Sequence, residues 1–286
     1  MNDVRVIARP RRDRLGEGPL WHPPEGALYW VDILDRRVSR LTLSDGRVDG
    51  WAMPEMVGWV IARRDAAGFL AGLQSGIKAV TFEPLSVAPF ADLADEPPEN
   101  RMNDAKADAQ GRIWAGTMPI GCDCPTGSLY RLDGDGLVAV DAGYHITNGP
   151  AISPDGKWLY HTNTFHREIY RFPLHDDGTL GERALWLRFE ESWGNPDGMT
   201  FDADGGLWIA HWGGGRVSRF DPDGEVERSR EVPATQVTSM AFAGENLDRL
   251  FITSASDGVD EPHGGDLFEV DPGVRGLAPH RFGPPA

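Results

Sequence analysis

The sequence predicts an all-β fold, a six-bladed β-propeller with four-stranded blades. Three observations predict it: one unit recurs six times, each unit contains short alternating apolar segments bounded by turn residues, and no segment has a sustained helical period. The turn that opens each copy falls near residues 26, 68, 111, 156, 205 and 248, a spacing of 42 to 49 residues. Since a propeller blade has about this length, we expect residues 1–286 to form a single domain.

The strands of each unit can be assigned in order around its turn. The strand after the turn reads "EGALYWVDI", "AGFLAGLQ", "GRIWAGTM", "GKWLYHTN", "GGLWIAHW" and "DRLFITSA" in the six copies. The next strand reads "RVSRLTLSDG", "GIKAVTFEP", "GSLYRLDGDG", "EIYRFPLHDDG", "RVSRFDPDG" and "GDLFEVDPG". Residues before each turn supply the first strand, and segments such as "VDGWAM" leave room for a fourth. We expect the N-terminal segment 3–10, "DVRVIARP", to pair with the last blade and close the ring, which removes an exposed edge.

The composition argues against several classes of partner. The formal net charge is −16, from 44 acidic and 28 basic residues, whereas a nucleic-acid-binding surface must neutralise phosphates. No segment is apolar and long enough for a transmembrane helix or a signal peptide. We therefore expect a cytoplasmic monomer with no nucleic-acid or membrane partner. Cys122 and Cys124 are too few for a disulfide framework and are predicted to be free thiols.

Polar residues recur at one position of the predicted first strands, which face the central channel. Counted back from each turn, this first column is Glu17, Val57, Asn103, Asn148, Asp197 and Thr238, and the next is Gly18, Gly58, Asp104, Gly149, Gly198 and Ser239. Any one of these side chains, taken alone, is typical of a polar residue that bonds nearby backbone. Four oxygen-bearing side chains that converge on one channel are costly to desolvate unless something pairs them. Because hard divalent cations prefer carboxylate and amide oxygens, the column predicts a metal site.

The chain resembles the gluconolactonase/senescence-marker-protein-30 (regucalcin) family of six-bladed propellers. The matching stretches are "LGEGPLW", "YWVDI", "RMNDAKADAQGRIWAGTM", "TNGPAISPDGKWLYHTNT" and "NPDGMTFDADGGLWIAHWGGG", within residues 15 to about 220. The resemblance implies a divalent metal held by Glu17, Asn148 and Asp197, which the column alignment also selects. It further implies that Arg101 and Asn103 of "RMND" contact the substrate.

Within this family, bacterial sugar-lactone hydrolases of the xylono- and arabinonolactonase kind are the most similar, through "ITNGP" and "HWGGG". One stretch departs from the pattern. Where the animal members have an acidic pair that shapes a lid, this sequence reads "AGTMPIGCDCPTG". The substrate preference of those members therefore does not carry over.

These residues predict a metal-dependent hydrolase that opens sugar lactones, such as glucono-, xylono- or arabinonolactone, to the aldonic acid. We expect one divalent ion, Ca²⁺ or Zn²⁺ first and Mn²⁺, Mg²⁺ or Fe²⁺ as alternatives, since an all-oxygen ligand set does not select among them. Asp197 is the expected general base. Arg101 and Asn103 are expected to hold sugar hydroxyls or the developing negative charge. The further candidates for substrate binding are Asp104, which could instead orient Arg101, and His145 and Trp212.

Two other functions remain open from the sequence alone. The same metal ring would serve a calcium-binding or ligand-binding propeller without turnover. It would also serve a metal-dependent esterase or phosphotriesterase, because a fold does not fix the chemistry. The chain has no Gly-x-Ser-x-Gly motif, so a serine nucleophile is not expected. The Arg-containing "RMND" segment favours a hydroxylated substrate.

Overall fold

Six four-stranded antiparallel sheets form the fold, in a computed structural model that describes residues 4–284. A short strand, β1 (Arg5–Val6), comes first. Blade 1 comprises β2 (Gly16–His22), β3 (Ala27–Asp32), β4 (Arg37–Thr42) and β5 (Val48–Ala52), and blade 2 comprises β6 (Val57–Ala62), β7 (Phe69–Leu73), β8 (Gly76–Phe82) and β9 (Leu85–Asp92). Blade 3 comprises β10 (Asn100–Ala107), β11 (Ile113–Pro119), β12 (Gly127–Asp133) and β13 (Gly136–Tyr144).

Blade 4 comprises β14 (Thr147–Ile152), β15 (Trp158–Asn163), β16 (Glu168–Pro173) and β17 (Ala184–Arg188). Blade 5 comprises β18 (Asn195–Phe201), β19 (Leu207–Trp212), β20 (Arg216–Phe220) and β21 (Val226–Glu231). Blade 6 contains β22 (Val237–Ala243), β23 (Arg249–Ser254) and β24 (Phe268–Val270). The helices of the described chain are three 3₁₀ turns, Pro23–Glu25, Thr164–His166 and Glu191–Trp193. None of these is long or apolar enough to cross a membrane. The predicted six-bladed propeller is confirmed.

The N-terminal strand closes the ring, as the sequence predicted. β1 is the outermost strand of blade 6 and pairs antiparallel with β24, Arg5 opposite Glu269 and Val6 opposite Phe268. The pairing is shorter than the predicted segment 3–10, whose first residue, Asp3, lies outside the described residues. Blade 6 therefore combines the two ends of the chain, and its outer edge is paired.

Buried aspartates tie the turn of a blade to its second strand. Asp202, in the "DADGG" turn, accepts hydrogen bonds from Trp208 Nε1 at 2.8 Å and from Arg219 Nε at 2.6 Å. In blade 3, Asp108 Oδ2 accepts a hydrogen bond from Trp114 Nε1 at 3.0 Å. Both indole rings are fully buried, so their N–H groups need a partner inside the protein. These repeated turn acids are therefore structural.

The C-terminal segment crosses the end of the channel where the innermost strands reach their turns. Gly276 bridges to Asp202 of blade 5, and Phe282 bridges to Arg63 of blade 2. Residues 277–280 between these contacts line a cavity of about 430 Å³, together with Lys106 of β10. This segment covers one end of the channel, whereas the predicted site residues lie near the other end, where the innermost strands begin.

Candidate metal centre

The predicted metal ligands converge near the starts of three innermost strands. Glu17 is on β2, Asn148 on β14 and Asp197 on β18, and each is 3–4 % exposed. Asn103 of β10 joins them, since its Nδ2 donates to Asn148 Oδ1 at 2.8 Å. The carboxyl groups of Glu17 and Asp197 lie within hydrogen-bonding reach of each other. The structure thus brings together the four carboxylate and amide side chains of the first column.

A β-bulge in each innermost strand positions these side chains. The register with the second strand shifts at the predicted column in all six blades. Glu17 and Asn148 are the last paired residues before the bulge, opposite Val31 and Thr162. Asn103 and Asp197 lie inside the bulge, where they have no paired residue. The four residues therefore do not have equivalent positions in the strand pairing. The extra residue of the bulge changes the direction of the Asn103 and Asp197 side chains.

The small residues that follow the ligands are required by backbone crowding. Gly18 and Gly149 have φ of +52° and +71°, which side chains other than glycine rarely adopt. A Cβ on Gly58 would collide with the carbonyl of Asn103 in the neighbouring blade. Adjacent innermost strands therefore approach closely at this level.

Asn103 bridges blades 3 and 4. Its Oδ1 accepts a hydrogen bond from Arg101 Nη1 at 2.5 Å, and its Nδ2 donates to Thr147 O as well as to Asn148. Arg101 also donates to Met102 O at 3.0 Å, and burial lowers the pKa of its guanidinium. Arg101 is 6 % exposed and uses only Nη1 in these bonds. Its remaining N–H groups have no acceptor among residues 4–284 and can donate to a bound molecule.

Asp104 does not have the orienting role expected for it. Its Oδ1 accepts a hydrogen bond from the Ala105 backbone N–H at 2.7 Å, whereas the hydrogen bonds of the Arg101 side chain within residues 4–284 go to Met102 O and Asn103 Oδ1. Burial raises the pKa of Asp104 to about 6, opposed chiefly by the charge of Lys106. The expectation that Asp104 orients Arg101 is wrong, because Asn103 and the Met102 carbonyl do so.

Simultaneous ionisation of the Glu17 and Asp197 carboxyl groups is strongly disfavoured. Burial, and then the charge of Asp104, raise the pKa of Glu17 to about 8. Burial, and then the charge of Glu17, raise the pKa of Asp197 well above its usual range. Asp197 Oδ1 is buried and has no hydrogen-bond partner among residues 4–284. An arrangement of this kind fits a cation, which would relieve the repulsion and pair the orphaned oxygen.

The donor set of the centre is two carboxylates and one amide oxygen. Within residues 4–284, no three His, Cys, Asp or Glu side chains are grouped so as to hold a metal ion. A metal at this centre therefore depends on the amide oxygen of Asn148. An all-oxygen set of this kind suits Ca²⁺, Mg²⁺ and Mn²⁺, and carboxylates also bind Zn²⁺.

Sequence reasoning missed Thr164, which fixes the orientation of Asn148. Thr164 opens the 3₁₀ turn after β15, and its Oγ1 accepts a hydrogen bond from Asn148 Nδ2 at 2.9 Å. The same hydroxyl donates to Pro196 O at 2.8 Å, beside Asp197. Because Nδ2 is held by Thr164, Oδ1 is the atom that Asn148 offers to Asn103 and to a ligand. The "HTNT" stretch of blade 4 was the available signal, but nothing in its spacing relates Thr164 to Asn148.

The remaining predicted contacts lie at the rim. His145 is half-buried in the connection between β13 and β14, and its ring stacks on Phe165. Trp212 is half-buried at the end of β19, opposite Asn195 and bridged to Gln236. Direct contact of His145 and Trp212 with a substrate stays a prediction.

The loop between β11 and β12 carries both cysteines, and both are free thiols as predicted. The Cys122 thiol lies close enough to Arg101 for the guanidinium to act on its ionisation, although burial has the larger effect and raises its pKa. This loop stands where the animal relatives were expected to have an acidic lid. The loop places the Cys122 thiol near Arg101, with Asp123 beside it.

Comparison with known proteins gives a consistent result along the chain. The family model described as "SMP-30/Gluconolactonase/LRE-like region" matches residues 15–256. A 6-deoxy-6-sulfogluconolactonase of Pseudomonas putida is 38% identical, over 99% of this chain and 99% of its own length. A pentonolactonase of Haloferax volcanii is also 38% identical, over 92% of each chain. The crystal structure of a calcium-binding protein, regucalcin, from Agrobacterium tumefaciens is 31% identical, with a TM-score of 0.91 over 99% of this chain and 97% of that one.

Proposed function

The chain belongs to the SMP-30/gluconolactonase/LRE-like family, as its motifs predicted, and from this premise we propose that it is a hydrolase that opens sugar lactones to aldonic acids. Two relatives that match nearly the whole chain are named as lactonases of sugar acids. The observation that carries the proposal is the buried pair of Glu17 and Asp197, beside the amide of Asn148 and the guanidinium of Arg101. The guanidinium, together with a cation that the carboxylates would hold, suits an ester carbonyl that becomes an oxyanion.

The proposed function includes one divalent cation, held by Glu17, Asn148 and Asp197. The orphaned Oδ1 of Asp197 and the repulsion between the two carboxyl groups support this assignment. When bound, such an ion would polarise the lactone carbonyl and stabilise the negative charge of the tetrahedral intermediate. Ca²⁺ and Zn²⁺ are the first candidates, followed by Mn²⁺, Mg²⁺ and Fe²⁺.

The side chains of the centre account for the proton and bond changes. Asp197, through the carboxylate oxygen that does not hold the cation, accepts a proton from the attacking water, whose oxygen forms a bond to the carbonyl carbon. The bond between that carbon and the ring oxygen then breaks, and the ring oxygen takes the proton from Asp197 and becomes a hydroxyl. The aldonic acid ionises, so each turnover releases one proton. Arg101 donates its free N–H groups to the substrate, and Asn103 holds Arg101 in place.

A substrate panel tests this proposal. The purified protein, supplied with each divalent ion in turn, is assayed by proton release on D-glucono-δ-lactone, D-xylonolactone and L-arabinonolactone, and separately on an aryl ester and a phosphotriester. We expect catalysis on at least one sugar lactone, with Arg101→Ala reducing kcat/KM by at least about a hundredfold. Turnover of the aryl ester or phosphotriester alone would contradict the sugar-lactone assignment. Metal binding without any turnover would leave a ligand-binding propeller.

A further inference from the structure

An exposed phenylalanine lies beside the candidate centre. Phe165 is the middle residue of the 3₁₀ turn Thr164–His166 and follows directly after the threonine that holds Asn148. It is 53% exposed, the highest value for a large hydrophobic side chain in the described chain. Single exposed hydrophobic residues are common on protein surfaces. The position and rigidity of Phe165 separate it from that ordinary case.

The ring of Phe165 stacks on a neighbouring ring and is still largely exposed. It stacks on His145 with ring centroids 4.4 Å apart and an angle of 14° between the planes. His166 packs edge-on against both rings, at 5.1 Å from His145 and 5.2 Å from Phe165. Offset and edge-on pairs of this kind are favourable arrangements for aromatic rings. His145 covers one side of the Phe165 ring, and more than half of the residue nevertheless remains exposed.

The turn that carries Phe165 is fixed at both ends. Arg167 N–H donates to Thr164 O at 3.0 Å and closes the turn, with Arg167 in the left-handed region at φ of +58°. Thr164 N–H donates to Ile146 O at 3.0 Å, and Thr164 Oγ1 bonds to both Asn148 and Pro196. A ring that is already held in place loses little conformational freedom when a molecule binds to it.

The stack lies over the boundary between the two blades that supply the polar groups. His145 belongs to the short connection from β13 of blade 3 to β14 of blade 4. Arg101 and Asn103 come from the innermost strand of blade 3, and Asn148 comes from that of blade 4. The Phe165 stack and the polar groups of the centre therefore lie at the same boundary between blades 3 and 4.

We propose that Phe165, supported by His145, is a specificity-determining residue whose exposed ring receives the C–H face of the sugar-lactone ring. This inference rests on the proposed function and names the part of the site that selects the substrate. A lactone ring has hydroxyls that suit Arg101 and Asn103, and C–H groups that hydrogen-bonding residues cannot recognise. Burial of those C–H groups against a rigid aromatic ring favours binding and removes water from one side of the site.

The test compares substitutions of Phe165 with a matched control. Phe165→Ala removes the aromatic ring, and Phe165→Trp keeps one. The control Leu185→Ala removes a similarly exposed side chain (50%) from the outer strand β17 of the same blade. We measure kcat and KM on the best lactone of the panel, D-gluconate binding by calorimetry, and the melting temperature. We expect Phe165→Ala to raise KM by about three- to tenfold with kcat nearly unchanged, the range given by aromatic contacts. Phe165→Trp and Leu185→Ala should remain within twofold of the wild type.

Two readouts separate failure of this inference from failure of the proposed function. If the wild type hydrolyses lactones and Phe165→Ala has unchanged KM and unchanged gluconate affinity, the proposed substrate contact of Phe165 is wrong, whereas the proposed lactonase activity is supported. If the wild type turns over no lactone but binds gluconate, the proposed reaction is wrong. A weaker gluconate affinity of Phe165→Ala would then still support the proposed contact of Phe165. If the wild type neither hydrolyses a lactone nor binds gluconate, both inferences are wrong.

Discussion

Thr164 Oγ1 accepts a hydrogen bond from Asn148 Nδ2 at 2.9 Å and so fixes which atom of Asn148 faces the candidate centre. The same hydroxyl donates to Pro196 O at 2.8 Å, one residue before Asp197. One side chain from the turn after the second strand of blade 4 therefore links Asn148 to the backbone next to Asp197. Such supporting groups tune an ion site through the ligands that they hold.

Thr164→Val should weaken divalent-ion binding by about 10- to 100-fold, the range found when a supporting hydrogen bond to a metal ligand is lost. Valine has nearly the shape of threonine, but it leaves Asn148 Nδ2 without an acceptor, so the amide is free to rotate. Calorimetric titration of metal-stripped protein measures the affinity. Thr164→Ser is the control and should bind as the wild type does. Wild-type affinity in Thr164→Val would show that Asn148 does not depend on this hydrogen bond.

Asp197→Asn should lower kcat by at least about a hundredfold, because an amide cannot accept the proton of the attacking water. The fold should survive the change. Burial and the charge of Glu17 disfavour ionisation of Asp197 in the metal-free protein, and an amide carries no charge, so the metal-free variant should melt no lower than the metal-free wild type. Steady-state kinetics and calorimetric melting check the two parts. Retained turnover would rule out Asp197 as the general base.

Asp202→Asn should lower the free energy of unfolding by about 3 kcal/mol, because it breaks a buried ion pair and leaves Arg219 without its main partner. Asp202 also holds Trp208 Nε1 at 2.8 Å. Asp204→Asn, in the same turn but exposed, is the matched control and should change stability by less than about 0.5 kcal/mol. Chemical denaturation curves measure both. Equal effects of the two substitutions would contradict a structural role for the repeated turn aspartates.

Stability should fall in acid through His161. This residue is fully buried, and neither ring nitrogen has a partner among the described residues. Burial, and then the charge of Arg183, lower its pKa from 6.5 to about 3. Below pH 6.5, His161 therefore binds a proton in the unfolded chain but not in the folded protein. The free energy of unfolding falls progressively as the pH falls from about 6.5 towards 3.

His161→Leu should flatten the decline of melting temperature between pH 6.5 and pH 4. His175→Leu, at an exposed position, is the comparison and should leave the decline as in the wild type. Melting curves at half-unit pH intervals give the slopes. An unchanged slope in His161→Leu would mean that other groups govern the acid sensitivity.

The fold could be predicted because its signal is repeated. Six turns at nearly equal spacing, each followed by strand-like residues, define the blades, and the strand near Arg5 closes the ring as expected. Blade-to-blade contacts could not be read from this pattern. The bulge is one example: counting back from each turn places Glu17 and Asp197 in one column, whereas Glu17 is paired and Asp197 lies in the bulge.

The three proposed metal ligands could be predicted from the sequence, whereas the residues that surround them could not. Glu17, Asn148 and Asp197 repeat at one position of a repeated unit, so alignment of the units selects them. Thr164 and Phe165 lie on a turn between the second and third strands, where nothing repeats. Their roles follow from hydrogen bonds and ring stacking across blades, which are tertiary relationships without a sequence period.

The most direct test of the account is proton release from freshly prepared D-glucono- and D-xylono-δ-lactone, measured in a pH-stat with metal-stripped protein before and after addition of each divalent ion. We predict hydrolysis above the spontaneous rate that is absent from the stripped protein, restored by at least one ion, and missing in Asp197→Asn with the same ion. Full activity of the stripped protein, or restored activity in Asp197→Asn, would contradict a metal-assisted lactonase built on Glu17, Asn148 and Asp197.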